Sequence, residues 1–538
     1  MREESTTKGF AMLSLAGIFA KILSVLYIPI LLIIIGRGGL GIYSKTYEVF
    51  TFIYALTNIG MQTAIAKYVS ELTALGNHRD ALRVFKISRT ILLIIGTVFT
   101  ITLMLSANSI AEMTSNPDII IGLIMLAPTI ALTSVLVCYR AYFQGKNNMK
   151  PVAISTVVEQ FANVSISLFG AYILLNRTHS ISLGSAGATI GTSLGALIGI
   201  IYLAYIYKSY RVEKEVREKQ KEGIRPIHQK RIIRTLIKYG VPITLSAALQ
   251  NFGALVDMAN VTKRLIYAGC TQVQSNELYG ILTEYKTLLY VPMVIIAALG
   301  TVVLPAISKA LVLKDKKDIK AKINFALRMT YSIAIPSAIG LMVLSKELYR
   351  LFYRAEDGHE LMLYGAVVLV FMAVVQIQNV ILQGISKFYY VVFSMVVGII
   401  LKISANYYFI GQSGIKIRGA VIGGFLCFFV PMVMNNIKIN KTLKIKLSLF
   451  KMTTKPLLSS LYMALAIFIA RFIFSFITSI IGVNKIVDLI MTILLILIGS
   501  FFYLQALIYL GGVRKKEIEA MTPKAIRIMP SILKKHLR

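Results

Sequence analysis

Lys21 interrupts the apolar run "AGIFAKILSVLYIP" (16–29), and Glu48, Asp257, Glu284, Lys286 and Lys402 interrupt runs of the same kind. A charge at mid-bilayer costs about 2.5–3.5 kcal/mol by insertion scales, so such groups face a water-filled cavity or a partner rather than lipid. Lysines gathered in a closed vestibule attract an anion, and a compact ammonium suits phosphate as a point charge. The chemistry expected is recognition of a phosphorylated or pyrophosphate-linked substrate. Glu284 and Lys286 are two residues apart, so on a helix they point roughly 200° apart. One is expected to face a cavity and the other a neighbouring helix. Lys402 and Asn406 lie one turn apart and share a face. Glu159 and Arg264 sit near span ends, where a structural or interfacial role competes with binding, as it also does for Glu48. Arg471 is expected to snorkel toward a lipid headgroup.

Other chemistries find no support in the residues. The five histidines form no catalytic cluster with acids, and Cys138, Cys270 and Cys427 are too far apart for a metal or redox spacing. No Gly-rich phosphate-cradling run is present, so ATP is not expected to drive this chain, and no catalytic residue, metal or cofactor is expected.

The elements that must hold these residues are membrane spans. The chain has 538 residues, 56% of them hydrophobic, and a mean hydropathy of +0.72. Soluble domains rarely reach that apolar content. The expected fold class is an all-α polytopic membrane protein of about fourteen helices. They lie near 9–35, 47–68, 88–107, 119–141, 152–175, 184–206, 239–261, 279–304, 325–345, 362–383, 389–410, 419–437, 457–480 and 485–511. The first run is too long for a cleavable signal and is expected to stay as a span.

Net charge is +34, and the excess falls in alternate loops. Arg79, Arg83, Lys86 and Arg89 follow the second span, and the 207–238 segment is strongly basic. The intervening "SANSIAEMTSNPD" (106–118) has no basic residue. This bias places both termini in the cytoplasm and explains the charge by anionic membrane lipids, without nucleic acid. "KELYRLFYRAEDGHE" (346–360) is expected outside as a mixed-charge loop.

The halves resemble each other weakly. "SELTALGNHRD" (70–80) pairs with "SKALVLKDKKD" (308–318), and "FQGKNNMKPVAIS" (143–155) with "LQGISKFYYVVFS" (382–394), at offsets of 238 and 239. "YSKTYE" (43–48) pairs with "YGILTE" (279–284) at 236, the offset that also sets Lys21 against Asp257 and Glu48 against Glu284. A parallel six-helix repeat implies two lobes rocking about a central site. The expected organisation is an N-lobe (1–206), a basic cytoplasmic linker (207–238), a C-lobe (239–438), a helix pair (439–513) and a basic cytoplasmic tail (514–538).

"YRAYFQGKNNMKPVAISTVVEQ" (139–160), with Gln144, Gly145, Glu159 and Gln160, resembles the fourth-to-fifth helix junction of polysaccharide exporters of the MOP superfamily. "ELYGILTEYKTLLYVPMVIIAALGTVVLPAISKA" (277–310) and "LQGISKFYYVVFSMVVGIILKISANYYFI" (382–410) resemble the same branch, that of stage V sporulation protein B and its relatives. The resemblance implies a bacterial cytoplasmic-membrane flippase for an undecaprenyl-pyrophosphate-linked glycan, serving cell-wall, spore-cortex or surface polysaccharide synthesis. It implies a transporter rather than an enzyme. It implies that Lys21 and Lys286 fall where related lipid II flippases carry pyrophosphate-binding arginines, whereas Ile28 stands at a further such position. It further implies an acidic cation ligand at Asp257, and the expected drive is the membrane potential or a monovalent cation. Lys402, a deep lysine on a helix expected to neighbour that of Asp257, is read here as a built-in cation in place of a bound one. The central set is then Lys21, Glu48, Asp257, Arg264, Glu284, Lys286, Lys402 and Asn406. Two rivals stand beside this reading. One is a MATE-type drug or cation antiporter, which would want an acidic cavity. The other is a membrane scaffold for glycan synthases.

Overall fold

The computed structural model describes residues 6–511 apart from 211, 221–222, 224, 313–315, 386, 445–448 and 482–484. The basic tail expected over 514–538 and the loop lysines Lys314 and Lys446 lie outside the described residues. Among the described residues every regular element is helical: α1 (Thr6–Tyr54), α2 (Gly60–Ala74), α3 (His78–Met113), α4 (Ile120–Leu126), α5 (Pro128–Gly145), α6 (Met149–Thr178), α7 (Ile181–Ser209), α8 (Val212–Lys219) and α9 (Gln229–Tyr267). There follow α10 (Gln272–Val312), α11 (Lys316–Val343), α12 (Ser345–Tyr353), α13 (His359–Gly365), α14 (Val368–Gly384), α15 (Phe388–Ile410), α16 (Gly419–Leu443), α17 (Leu449–Ile481) and α18 (Lys485–Tyr509). Helices satisfy every backbone group within one segment, which the bilayer core demands.

Twelve described stretches are long and apolar enough to cross a membrane, and the bent pair α13–α14 makes a thirteenth. The first stretch, Leu15–Ala74, is 60 residues long and holds two of the expected crossings. It is broken at Gly36, whose φ of 69° leaves the helical region. Glycine adopts that conformation without a Cβ penalty. The helices thus accommodate the expected fourteen. The second crossing begins earlier than the apolar pattern suggested, because the helix resumes directly after Gly36. A five-residue π segment, Ala55–Ile59, follows α1, and within it Asn58 donates to the Thr133 hydroxyl at 3.2 Å. The segment expected as a loop over 346–360 instead contains α12. Arg350 within it pairs with Glu356 just beyond, and that guanidinium lowers the carboxyl from its ordinary pKa.

By its contacts the chain divides into two compact units. The expected lobes are a division by internal repeat, a different property, and remain an expectation. Unit 1 comprises 1–283 and 406–420. In it α6 and α7 meet backbone to backbone: a Cβ added at Gly170 would lie 2.7 Å from the carbonyl oxygen of Gly187. Small residues permit such approach where no hydrophobic drive joins helices in lipid. At the other end of these helices Phe85, Tyr139, Tyr142 and Tyr207 form one aromatic cluster, with Phe85 5.1 Å from both Tyr139 and Tyr142. Asn77 caps α3, accepting from Asp80 N. Asp80 is fully buried, accepts from Asn77 Nδ2 at 2.8 Å and from Ile227 N at 2.9 Å, and pairs with Arg83 at 3.0 Å. Arg83 in turn donates to the Ile227 carbonyl at 2.9 Å. The basic linker is therefore fastened to the start of α3.

Unit 2 comprises 284–405 and 421–538. Here α11 packs on α14 and α17, and α17 on α18. Asn435 donates to Asn379 at 2.9 Å in a buried pair, and Phe371 stacks edge-on against Phe425 and Phe429. Arg471 forms an ion pair with Glu347, its Nε 2.8 Å from Oε1, and its Nη2 donates to Glu347 Oε2 at 2.8 Å and to the Val343 carbonyl at 2.5 Å. Charge-assisted bonds of this kind tie α17 to the start of α12.

Candidate functional site

The charged residues singled out in the sequence fall into separate environments. In unit 1, Lys21 on α1 has an exposed side chain, and one turn on, Ser24 accepts from Gln160 at 3.0 Å. Asp257 on α9 is buried and accepts from Asn406 Nδ2 at 3.0 Å. Lys21 and Asp257 are equivalent by sequence offset but not by surroundings. Arg264 lies over the rings of Tyr267 and Tyr407, 4.3 and 4.0 Å from their centres. Both distances are within cation–π range. Glu48, half-buried, accepts from the Tyr279 hydroxyl.

Glu159 on α6 is paired. Arg140 Nη2 meets its Oε2 at 2.5 Å, and Arg140 Nε donates to Ser155 at 3.1 Å. Gln144 accepts from Gln62 at 3.2 Å, and Gly145 is buried where a Cβ would press on Val69. These motif residues bind helices to one another. Beside them runs an aromatic ladder on α1, Tyr43–Tyr47–Phe50–Tyr54, with ring centroids 5.5–5.9 Å apart and Tyr27 edge-on to Tyr43. The 4–3–4 spacing puts all four ladder rings on one face.

In unit 2, Glu284 on α10 is fully buried, and its backbone carbonyl accepts from the Tyr353 hydroxyl at 2.9 Å. Lys286 is half-buried, so the two side chains differ in surroundings as their angular separation requires. Lys402 is buried on α15. That helix runs from unit 2 into unit 1, where Asn406 sits.

The sequence reading missed a lysine. Lys45 on α1 is fully buried, and its Nζ donates to Asn276 Oδ1 at 2.8 Å. Asn116 Nδ2 donates to the same oxygen at 2.8 Å, and Asn276 Nδ2 donates to Asp118 Oδ2 at 3.1 Å. The only hint in the sequence was "YSKTYE" (43–48), a charged segment continuous with an apolar run. Among the described residues no group of three or more His, Cys, Asp or Glu is arranged to hold a metal ion.

Comparison with solved structures places this helix arrangement. An inward-facing multidrug-resistance MATE transporter of the MOP superfamily matches with a TM-score of 0.65 at 16% identity, over 79% of this chain and 95% of the other. A lipid II flippase MurJ in an inward closed conformation matches with a TM-score of 0.62 at 17% identity, over 96% of this chain and 100% of the other. The chain is a multi-pass membrane protein with the fold of MOP-superfamily transporters. The family model described as polysaccharide biosynthesis protein matches residues 6–311, and the chain belongs to that family. In sequence it is 28% identical to stage V sporulation protein B of Bacillus subtilis (strain 168), over 66% of this chain and 68% of the relative. It is 25% identical to the lipid II flippase MurJ of the same organism, over 88% of this chain and 89% of the relative.

Proposed function

We propose that this chain is a flippase that moves a polyprenyl-pyrophosphate-linked glycan precursor across a bacterial cytoplasmic membrane by alternating access. It is a transporter, not an enzyme. The observation that carries the reading is the near full-length likeness to a lipid II flippase, combined with lysines at two positions within the spans, Lys21 and Lys286. The lysines are the groups suited to a pyrophosphate. The undecaprenyl class of carrier and a role in wall, cortex or surface polysaccharide follow from the family likeness. The basic loops support a cytoplasmic location for both termini. Membrane potential is the favoured drive, since moving one charge through 100 mV is worth about 2.3 kcal/mol. A monovalent cation near Asp257 is the alternative.

A second reading, a MATE-type cation antiporter, is favoured by the fold match and by Asp257 and Glu284, two buried acids in spans. Proteoliposomes separate the two. Entry of a fluorescent undecaprenyl-pyrophosphate-linked sugar into the opposite leaflet, absent from empty liposomes, supports the flippase. Cation efflux without lipid movement supports the antiporter. Movement of neither sinks both.

A further inference from the structure

Lys45 is an unusual residue to bury completely. A packing contact alone would be met by leucine or methionine. Instead the ammonium reaches Asn276 Oδ1 across 231 residues of sequence, and Asn116 and Asp118 close on the same amide from the segment before α4. Lys45 also lies 5.0 Å from the ring centre of Tyr279, whose hydroxyl donates to Glu48 one turn further along α1. Three segments, namely α1, the 116–118 connection and the first turns of α10, are thus joined by side-chain hydrogen bonds, with Leu40, Ile119 and Tyr279 buried beside them. The backbones approach closely at the same place. Any Cβ at Gly41 would strike the Asn276 carbonyl, and any at Gly280 the Arg37 carbonyl.

Such a joint has a particular energetic character. An apolar joint resists opening because it exposes hydrocarbon to water. A joint of lysine, amide and carboxylate exchanges its internal hydrogen bonds for hydrogen bonds to water when it parts, at little net cost. It holds while dry and releases when wetted. It also grips a helix of consequence. Gln272–Thr283 at the start of α10 belong to unit 1, while Glu284 and Lys286 on the same helix belong to unit 2. The charge bias of the loops sets 106–118, and with it this joint, on the side opposite the basic loops.

We propose that Lys45, Asn276 and Asp118 form a polar latch within unit 1 that holds the start of α10 on α1 and must open in each transport cycle. The proposal rests on the transport reading above. Lys45 is a positioning residue: it acts through Asn276 and touches no substrate.

Gly38 and Glu277 report on the latch, since a Cβ at Gly38 would lie 3.9 Å from Glu277 Cγ. In full-length protein with Cys138, Cys270 and Cys427 replaced by alanine, the pair Gly38→Cys/Glu277→Cys is oxidised in proteoliposomes. The expected result is a disulfide that slows lipid flipping at least ten-fold and is reversed by reductant. Adding Lys45→Met should lower the disulfide yield at least three-fold. The exchange Asn276→Asp with Asp118→Asn keeps every donor and acceptor but gives Lys45 a carboxylate. It should raise the yield and slow flipping about three-fold, which mere loss of stability would not do. A cross-linked protein that flips at the uncross-linked rate overturns the proposal. So does a yield unchanged by both sets of substitutions. Failure of the transport reading is a separate result: no flipping by the unmodified protein, while the disulfide yields still test the latch.

Discussion

Removing one partner of the Arg140–Glu159 pair is expected to destabilise unit 1 more than removing both. The Nη2–Oε2 distance is 2.5 Å, and the side chains are 12% and 22% exposed. Unit charges about 4 Å apart attract by about 4 kcal/mol at an effective dielectric of 20 and by about 1 kcal/mol in bulk water. Partial exposure places this pair between those limits, so a coupling of about 2 kcal/mol is expected. Arg140→Gln strands a carboxylate beside Tyr54, whereas Glu159→Gln leaves Arg140 its bond to Ser155. The arginine substitution is therefore the costlier. The assay is a double-mutant cycle on unfolding in detergent, with Arg140→Gln, Glu159→Gln and the double variant. Coupling isolates the pair from changes elsewhere when the single substitutions make no new contacts. A coupling below about 0.5 kcal/mol would place the pair with ordinary surface ion pairs and refute the reasoning.

Lys21→Ala and Lys286→Ala should each reduce lipid flipping at least ten-fold at unchanged membrane abundance, read in the proteoliposome assay; activity near wild type would remove both lysines from substrate binding. Asp80→Ala should free the linker from α3 and speed trypsin cleavage between 208 and 231 several-fold, followed by gel electrophoresis, because the side chain holding both the Ile227 amide and Arg83 is lost. Gly187→Leu should abolish stable expression, measured by fluorescence-detected size exclusion, since a Cβ there would already lie 2.5 Å from the Gly170 carbonyl oxygen.

The helices were legible because each crossing writes its signal locally, as a run of apolar residues of the right length. Lys21, Glu284 and Lys402 stood out for the same reason: a charge is conspicuous against leucine and isoleucine. Partners were not legible. Glu347 lies 124 residues from Arg471, and Asn276 lies 231 residues from Lys45. An amide or a serine carries no mark that it will receive a buried cation. Lys45 itself was hidden by its neighbours. It lies two residues ahead of the second expected span (47–68), so it did not read as a charge inside an apolar run. In the structure the helix resumes directly after Gly36, and Lys45 lies two turns inside it. The motif around 139–160 was conspicuous, but its residues prove to tie α1, α2, α5 and α6 together.

The fastening of Ile227 by Asp80 and Arg83 separates two things that a linker usually does together, joining and locating. The entry point of α9 is set from the side, by bonds from another helix, as well as by the covalent path. Within that path α8 is itself seated, with Val212 and Val216 in the buried core and Glu213 paired with Lys86. The linker is thus held by α3 at two places, at α8 and at Ile227, and an insertion between them has to leave both seats intact to keep the register of α9.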